Sequence, residues 1–186
     1  RKNENIYFFW FRTIFFSYLS AWSIAFNDCK KNGRMKWGIF NEMIQAHFFQ
    51  GLLIVIIVIV FGLQSLICFL MAAFIGILLL ETVNYIEHYG LERKKTANGN
   101  YERAMPAHSW NSNHPIGRLM LFELCRHSDH HYLASRKYQV LRHHENAPQL
   151  PTGYPGMMLL AHFPPVWFRV MKKQIDKYVV AKSVEC

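Results

Sequence analysis

The sequence has 186 residues, 52% of them hydrophobic and 16% aromatic, with 21 Lys and Arg against 12 Asp and Glu. That apolar content excludes a disordered tail. The scattered Cys29, Cys68, Cys125 and Cys186, without a C-x-x-C pair, exclude a disulfide scaffold and suit free thiols in a reducing cytoplasm. The net charge of +9 fits either a nucleic-acid-binding face or cations flanking membrane spans. The chain starts at Arg1 with no initiator Met and no signal peptide, so it is expected to begin inside a longer protein.

Residues 6–26 are aromatic-rich with Arg12 as their single charge. They read as an interfacial helix or as one that packs against helices outside this chain. Between residues 48 and 80 the only polar side chains are Gln50, Gln64 and Ser65. One helix over that stretch would run about 50 Å, beyond a hydrocarbon core of about 30 Å. Two spans, 44–63 and 65–86, turning at Gly62 to Ser65, fit better than a hairpin buried in a soluble core. Lys30, Lys31, Arg34 and Lys36 precede the first span, and Arg93, Lys94 and Lys95 follow the second. The positive-inside rule then places both flanks in the cytoplasm. The charge thus reads as membrane topology, and no nucleic-acid partner is expected.

After the hairpin comes a polar Gly/Asn loop at 94–101, then an irregular stretch at 108–115. Pro115 suits the first turn of a helix, and spacing of Leu119, Phe122, Arg126 and Leu133 predicts a helix continuing to about 133. QLPTGYPG at 149–156 reads as a turn-rich loop. The apolar stretch 157–171, interrupted at Pro164-Pro165, leads into a basic tail. The expected organisation is an interfacial segment 1–43, a transmembrane hairpin 44–86, a histidine-rich region 87–171 and the tail 172–186.

Eight of the ten histidines lie between His88 and His144. The sharpest group is RHSDHH, in which His127, His130 and His131 are related by i, i+3 and i+4 and share one helix face. Neutral imidazole is a ligand for iron, copper, nickel or zinc, so this group reads as a metal site rather than a solvated turn. His88, in NYIEHYGL, stands one turn above Asn84, with Glu81 and Glu87 at or near membrane depth. An ionisable residue there marks either a functional site or the interface boundary. A carboxylate or amide beside a ligating imidazole would orient it, as Asp129 also would. His108 and His114 flank SWNSN with Asn113, as contacts to the ligands or as loop packing. His143 and His144 read as solvated, and His47 and His162 as isolated.

NYIEHYGL, HSWNSNH, RHSDHH and LPTGYPG, in this order, resemble the C-terminal half of the membrane-bound alkane monooxygenases, ω-hydroxylases akin to fatty-acid desaturases in their histidine boxes. The resemblance runs from about residue 5 to 171. It implies an all-α integral membrane fold, part of a six-helix transmembrane bundle in a bacterial inner membrane, with a cytoplasmic histidine-rich cap holding two non-haem iron ions. The implied ligands are His88, His127, His130 and His131. The implied reaction is terminal hydroxylation of a medium-chain n-alkane with O₂, with rubredoxin as electron donor. A linear alkane has no polar handle, so residues 52–61 and 66–80 are expected to wall part of an apolar channel among membrane lipids. Cys125 stands where the family often has Gln. Two further histidine boxes lie upstream in the family, whereas residues 1–46 hold no histidine, so half of the di-iron site is expected here. A desaturase or a xylene- or fatty-acid-type hydroxylase would share this chemistry. A metal transporter would instead place ligands near the bilayer midplane, where residues 48–80 carry no His, Asp or Glu.

Overall fold

The computed structural model describes residues 2–103 and 105–184, with side chains through Val180. The described residues are helical without a strand: α1 (Ile6–Lys31), α2 (Glu42–His88), α3 (Pro115–Met120), α4 (His127–Tyr132), α5 (Tyr154–Ala161) and α6 (Pro164–Val184), plus short 3₁₀ turns. Two isolated bridges, Lys95–Tyr101 and Asn111–Gln149, tie loops. Two compact units result: Trp10–Glu81, and the residues flanking it on either side.

In the first unit Asn41, fully buried, caps α2. Its Oδ1 accepts from the N–H groups of Met43 (2.9 Å) and Ile44 (3.3 Å), while its Nδ2 donates to the Lys36 carbonyl at 2.7 Å. Two helix-end donors are thereby satisfied. Trp22, Phe26 and Trp37 form an aromatic cluster that takes in His47, whose Nε2 lies 3.0 Å from the Tyr18 hydroxyl. α2 is the one described helix long and apolar enough to cross a membrane. Its helical run breaks at Gly62 (φ 81°, ψ 171°), inside the region where the sequence predicts a turn. That backbone region is open to glycine and almost nothing else. The helical stretches on either side extend about 30 and 39 Å, each enough to cross a hydrocarbon core. Ile59, Phe61 and Leu63 are 77%, 67% and 65% exposed, an apolar surface suited to lipid.

The second unit is built on an aromatic core. Trp167, Tyr154, Met157 and Met171 are fully buried, and Trp167 packs 5.3 Å from both Tyr85 and Tyr89. The turn that follows α2 carries Gly90 (φ 69°), where a Cβ would meet Ile175 Cδ1 at 2.5 Å. The Tyr85 hydroxyl donates to the Glu4 carbonyl at 2.8 Å and that of Tyr7 to the His162 carbonyl at 3.0 Å. His162 thus contributes a structural carbonyl.

The predicted continuous helix from 116 to 133 is not formed. α3 stops at Met120, Phe122 and Glu123 adopt left-handed backbone (φ 48° and 62°), and a 3₁₀ turn (Leu124–Arg126) precedes α4. A left-handed non-glycine residue costs about 1–2 kcal/mol. Glu123 offsets that cost as a charge hub: Arg118 donates to its carboxylate at 2.7–3.1 Å and Arg126 pairs with it at 3.2 Å. Leu119 and Phe122, core-facing by periodicity, are consequently 83% and 71% exposed. Cys29, Cys68 and Cys125 are free thiols, as the sequence predicts; Cys186 lies outside the described residues.

Candidate metal centre

Three histidines meet where the end of α2 and α4 come together. The ring centroids of His88 and His127 lie 5.3 Å apart, those of His88 and His131 5.1 Å, and those of His127 and His131 4.4 Å. One ligand atom from each lies within 4.8 Å of the others. An imidazole–metal bond of about 2.1 Å sets about 4.2 Å as the widest separation of two ligands on one ion. The cluster therefore needs to contract by roughly half an ångström, which side-chain rotation supplies.

His130 does not join them. It is exposed, its ring centroid lies 5.9 Å from those of His127 and His131, and it borders a separate hollow with Phe122 and Tyr138. His127 and His131, one helical turn apart on the six-residue α4, bring a ligand atom each toward His88, whereas His130 is exposed at the other edge of that helix face.

The electrostatics favour ligation. Burial, followed by the neighbouring imidazoles of His131, His88 and His130, lowers His127 to about 2. Burial and the charges of His88, His130 and Arg93 lower His131 to about 4. Both rings are neutral at pH 7, with lone pairs free to bind a metal. Among the described residues, neither ring nitrogen of His127 nor Nε2 of His131 has a hydrogen-bond partner, although all are buried. Unpartnered buried polar atoms cost about 1–3 kcal/mol each, and a transition metal would satisfy one nitrogen of each ring. The residues fit such an ion. A hollow of about 370 Å³, lined by His88, His131, His108, Ser109, Leu91 and Arg93, opens beside the cluster.

Carboxylates flank the histidines. Glu87, 1% exposed, brings Oε2 to 3.2 Å from His127 Nε2 without the alignment of a hydrogen bond, and burial raises its carboxyl well above the usual range. Asp129 is fully buried. It accepts from the Arg142 N–H (2.9 Å), from His144 Nε2 (2.8 Å) and from Arg136 Nη1 (2.6 Å). Burial pushes its carboxyl up, but these three donors together hold it below the usual range. His144, read from sequence as solvated, is therefore an anchor for Asp129; its neighbour His143 is half-buried. Burial lowers His143 as well, assisted by Arg126.

An extended strap, residues 109–112, holds the parts in register. The Trp110 N–H donates to the Glu87 carbonyl at 2.9 Å, and its indole N–H to the Tyr89 carbonyl at 2.8 Å. Asn111 donates to the Pro148 carbonyl at 2.7 Å, Ser112 to that of Cys125 at 3.0 Å, and the Ser128 N–H to Asn111 Oδ1 at 3.3 Å. The strap thereby joins the end of α2, the start of α4 and the loop before α5.

Of the remaining sequence candidates, His108 accepts from the Met105 N–H and lies 3.1 Å from Glu102, on the rim of the hollow. Asn113 accepts from Arg126 at 3.3 Å, and His114 is exposed beside Gly153. Asn84 is half-buried on α2, and Glu81 belongs to the other unit. Sequence reasoning missed Tyr154. This side chain, fully buried, donates from its hydroxyl to the Trp110 carbonyl (3.1 Å) and to Glu87 Oε1 (3.3 Å). The signal was present as the single tyrosine of LPTGYPG, a segment read only as turns.

The family model described as fatty acid desaturase matches residues 1–161. An alkane 1-monooxygenase of Acinetobacter baylyi is 45% identical over 178 residues, 96% of this chain and 44% of that protein. Alkane 1-monooxygenase 2 of Alcanivorax borkumensis is 42% identical over 96% of this chain and 47% of its own length. Alkane 1-monooxygenase 2 of Pseudomonas aeruginosa is 41% identical over 100% of this chain and 49% of its own length. The chain spans about half the length of the curated relatives it matches.

Proposed function

The chain belongs to the fatty acid desaturase family, and from that premise we propose that it serves the O₂-dependent terminal hydroxylation of medium-chain n-alkanes to primary alcohols. The observation that carries this reading is the gathering of His88, His127 and His131 into one cluster with unpartnered ring nitrogens. The similarity to proteins named alkane 1-monooxygenase selects the reaction from the family's range.

In this reading His88, His127 and His131 hold one iron, and His130, set apart from them, donates to a second. The chemistry supplied by bound iron is reductive activation of O₂, with electrons from rubredoxin. The chain's own residues keep the imidazoles neutral, through burial, and keep them aimed. Glu87 stands against His127, and Asp129 ties the segment after α4 back onto it. The hollow beside His88 and His131 gives room for a small reactant at the cluster, and the apolar arms of α2 suit a substrate without polar groups. The two arms of α2 are read as two spans of a six-helix bundle in the bacterial inner membrane. Both flanks face the cytoplasm, residues 1–43 lie at the interface, 87–171 form the catalytic cap and 172–186 a basic tail.

The test uses membranes carrying the full-length gene product, supplied with rubredoxin, its reductase and octane. O₂-dependent 1-octanol formation that disappears in His131→Ala is the expected result. Absence of octanol from iron-loaded membranes, or octanol unaffected by that substitution, overturns the reading.

A further inference from the structure

Tyr154 sits at the start of α5, with Gly153 before it and Pro155 after it, and its side chain is fully buried. Proline in the first turn presets the helical backbone at the entry to α5, so the ring is held from its own segment as well as by packing. A buried tyrosine keeps a partner for its hydroxyl, and this one has two. The hydroxyl points at the Trp110 carbonyl of the strap and at Oε1 of Glu87. The other oxygen of that carboxylate faces His127. Glu87 is thus gripped at one oxygen and offered to the imidazole with the other.

We propose that Tyr154 is a positioning residue of the metal centre, fixing the Glu87 carboxylate so that it orients His127 for ligation; this rests on the metal-centre reading above. The chemistry requires such a brace. A histidine ligand needs its second ring nitrogen engaged, because that contact sets tautomer and ring orientation and raises the basicity of the coordinating nitrogen. Glu87 reaches the cluster from the last turn of α2, and a free carboxylate there would rotate about its side-chain torsions. The bifurcated hydroxyl contact removes that freedom. Burial above all raises the Tyr154 hydroxyl well above its ordinary range, so it remains protonated and its proton is available to Glu87 Oε1. The strap carbonyl that shares this proton belongs to Trp110, whose own N–H is bonded to the Glu87 backbone. Tyr154 therefore reads the position of both the main chain and the side chain of residue 87.

Losing a contact that orients a metal ligand typically weakens metal affinity about 10–100-fold. The test titrates Co(II) into the metal-free full-length gene product, reading both affinity and the ligand-field absorption. Tyr154→Phe, which keeps the ring and its packing, is expected to weaken Co(II) binding by that factor and to shift the absorption band. Glu87→Gln should do the same, and the double variant should bind no more weakly than Glu87→Gln alone. Wild-type affinity and spectrum in Tyr154→Phe overturn the proposal, as does a double-variant loss equal to the product of the single losses. If Tyr154→Phe fails to accumulate, Glu87→Gln decides, since unchanged binding there leaves nothing for Tyr154 to act through. His127→Ala separates the two levels of inference. Undiminished binding in that variant overturns the metal-centre reading itself, whereas its loss beside a wild-type Tyr154→Phe overturns only the role of Tyr154.

Discussion

His144 Nε2 stands 2.8 Å from Oδ1 of Asp129, a carboxylate with no exposed surface that also accepts from Arg136 and from the Arg142 backbone. Removing one side of a buried charge network is costlier than removing a donor from its edge. Asp129→Ala should destabilise the protein by about 3–5 kcal/mol. His144→Ala should cost about 1–2 kcal/mol, since the other two donors remain. Thermal denaturation of the two variants in detergent checks the ranking. Equal losses would mean that the His144 contact carries as much of the stability as the whole Asp129 network.

His130 and His131 are adjacent in sequence and divergent in space, which predicts that their alanine variants lose different ions. In the full-length gene product loaded with iron, His131→Ala should lose the ion of the triad. His130→Ala should retain that ion and lose the other, leaving about half of the wild-type iron. Elemental analysis checks this: each single variant should keep about half of the wild-type iron and the double variant almost none, whereas a double variant that loses no more than either single variant points to one site shared by all four histidines.

The triad predicts a pH dependence of known sign. In the metal-free protein His127 is lowered to about 2 and His131 to about 4, chiefly by burial. In the unfolded chain a histidine takes up its proton near pH 6.5. Below about 6.5 the unfolded state therefore binds more protons than the folded one, so stability is complete above that pH and falls as pH drops. The loss contributed by His131 levels off near pH 4, where the folded residue titrates too, and that of His127 continues toward 2. Melting temperatures of the metal-free protein should decline steadily from about pH 7 to 5, and a flat profile would contradict burial of the cluster.

Topology offers a further check. Reporters fused after Lys36 and after Lys95 should both read cytoplasmic, and one inserted at Gln64 should read external. An external signal after Lys95 would rule out two spans meeting near Gly62.

Several of these relationships are written openly in the sequence. A run such as residues 52–61 declares itself because lipid solvates every face of a helix and leaves no polar residue unpunished. His127 and His131 were identifiable because a spacing of four survives in a helix of any length. The left-handed corner at Phe122 and Glu123, which ends the predicted long helix, was not legible. That corner depends on Arg118 and Arg126 converging on one carboxylate, a three-body arrangement that periodicity does not encode. Nor was the strap legible. It is held largely by backbone N–H and carbonyl groups that every residue possesses, so Trp110 and Asn111 carry no distinctive spacing. The burial of Tyr154 follows from that strap and was hidden with it.

The buried, unpartnered nitrogens of His127 and His131 also bear on how long the molecule survives in a cell. A protein whose core contains unsatisfied donors visits open states more often, and open states are what proteases sample. A metal held by the cluster would remove that liability at the same point where it would confer reactivity, so the metal-free protein should be digested faster than the metal-loaded one in limited proteolysis.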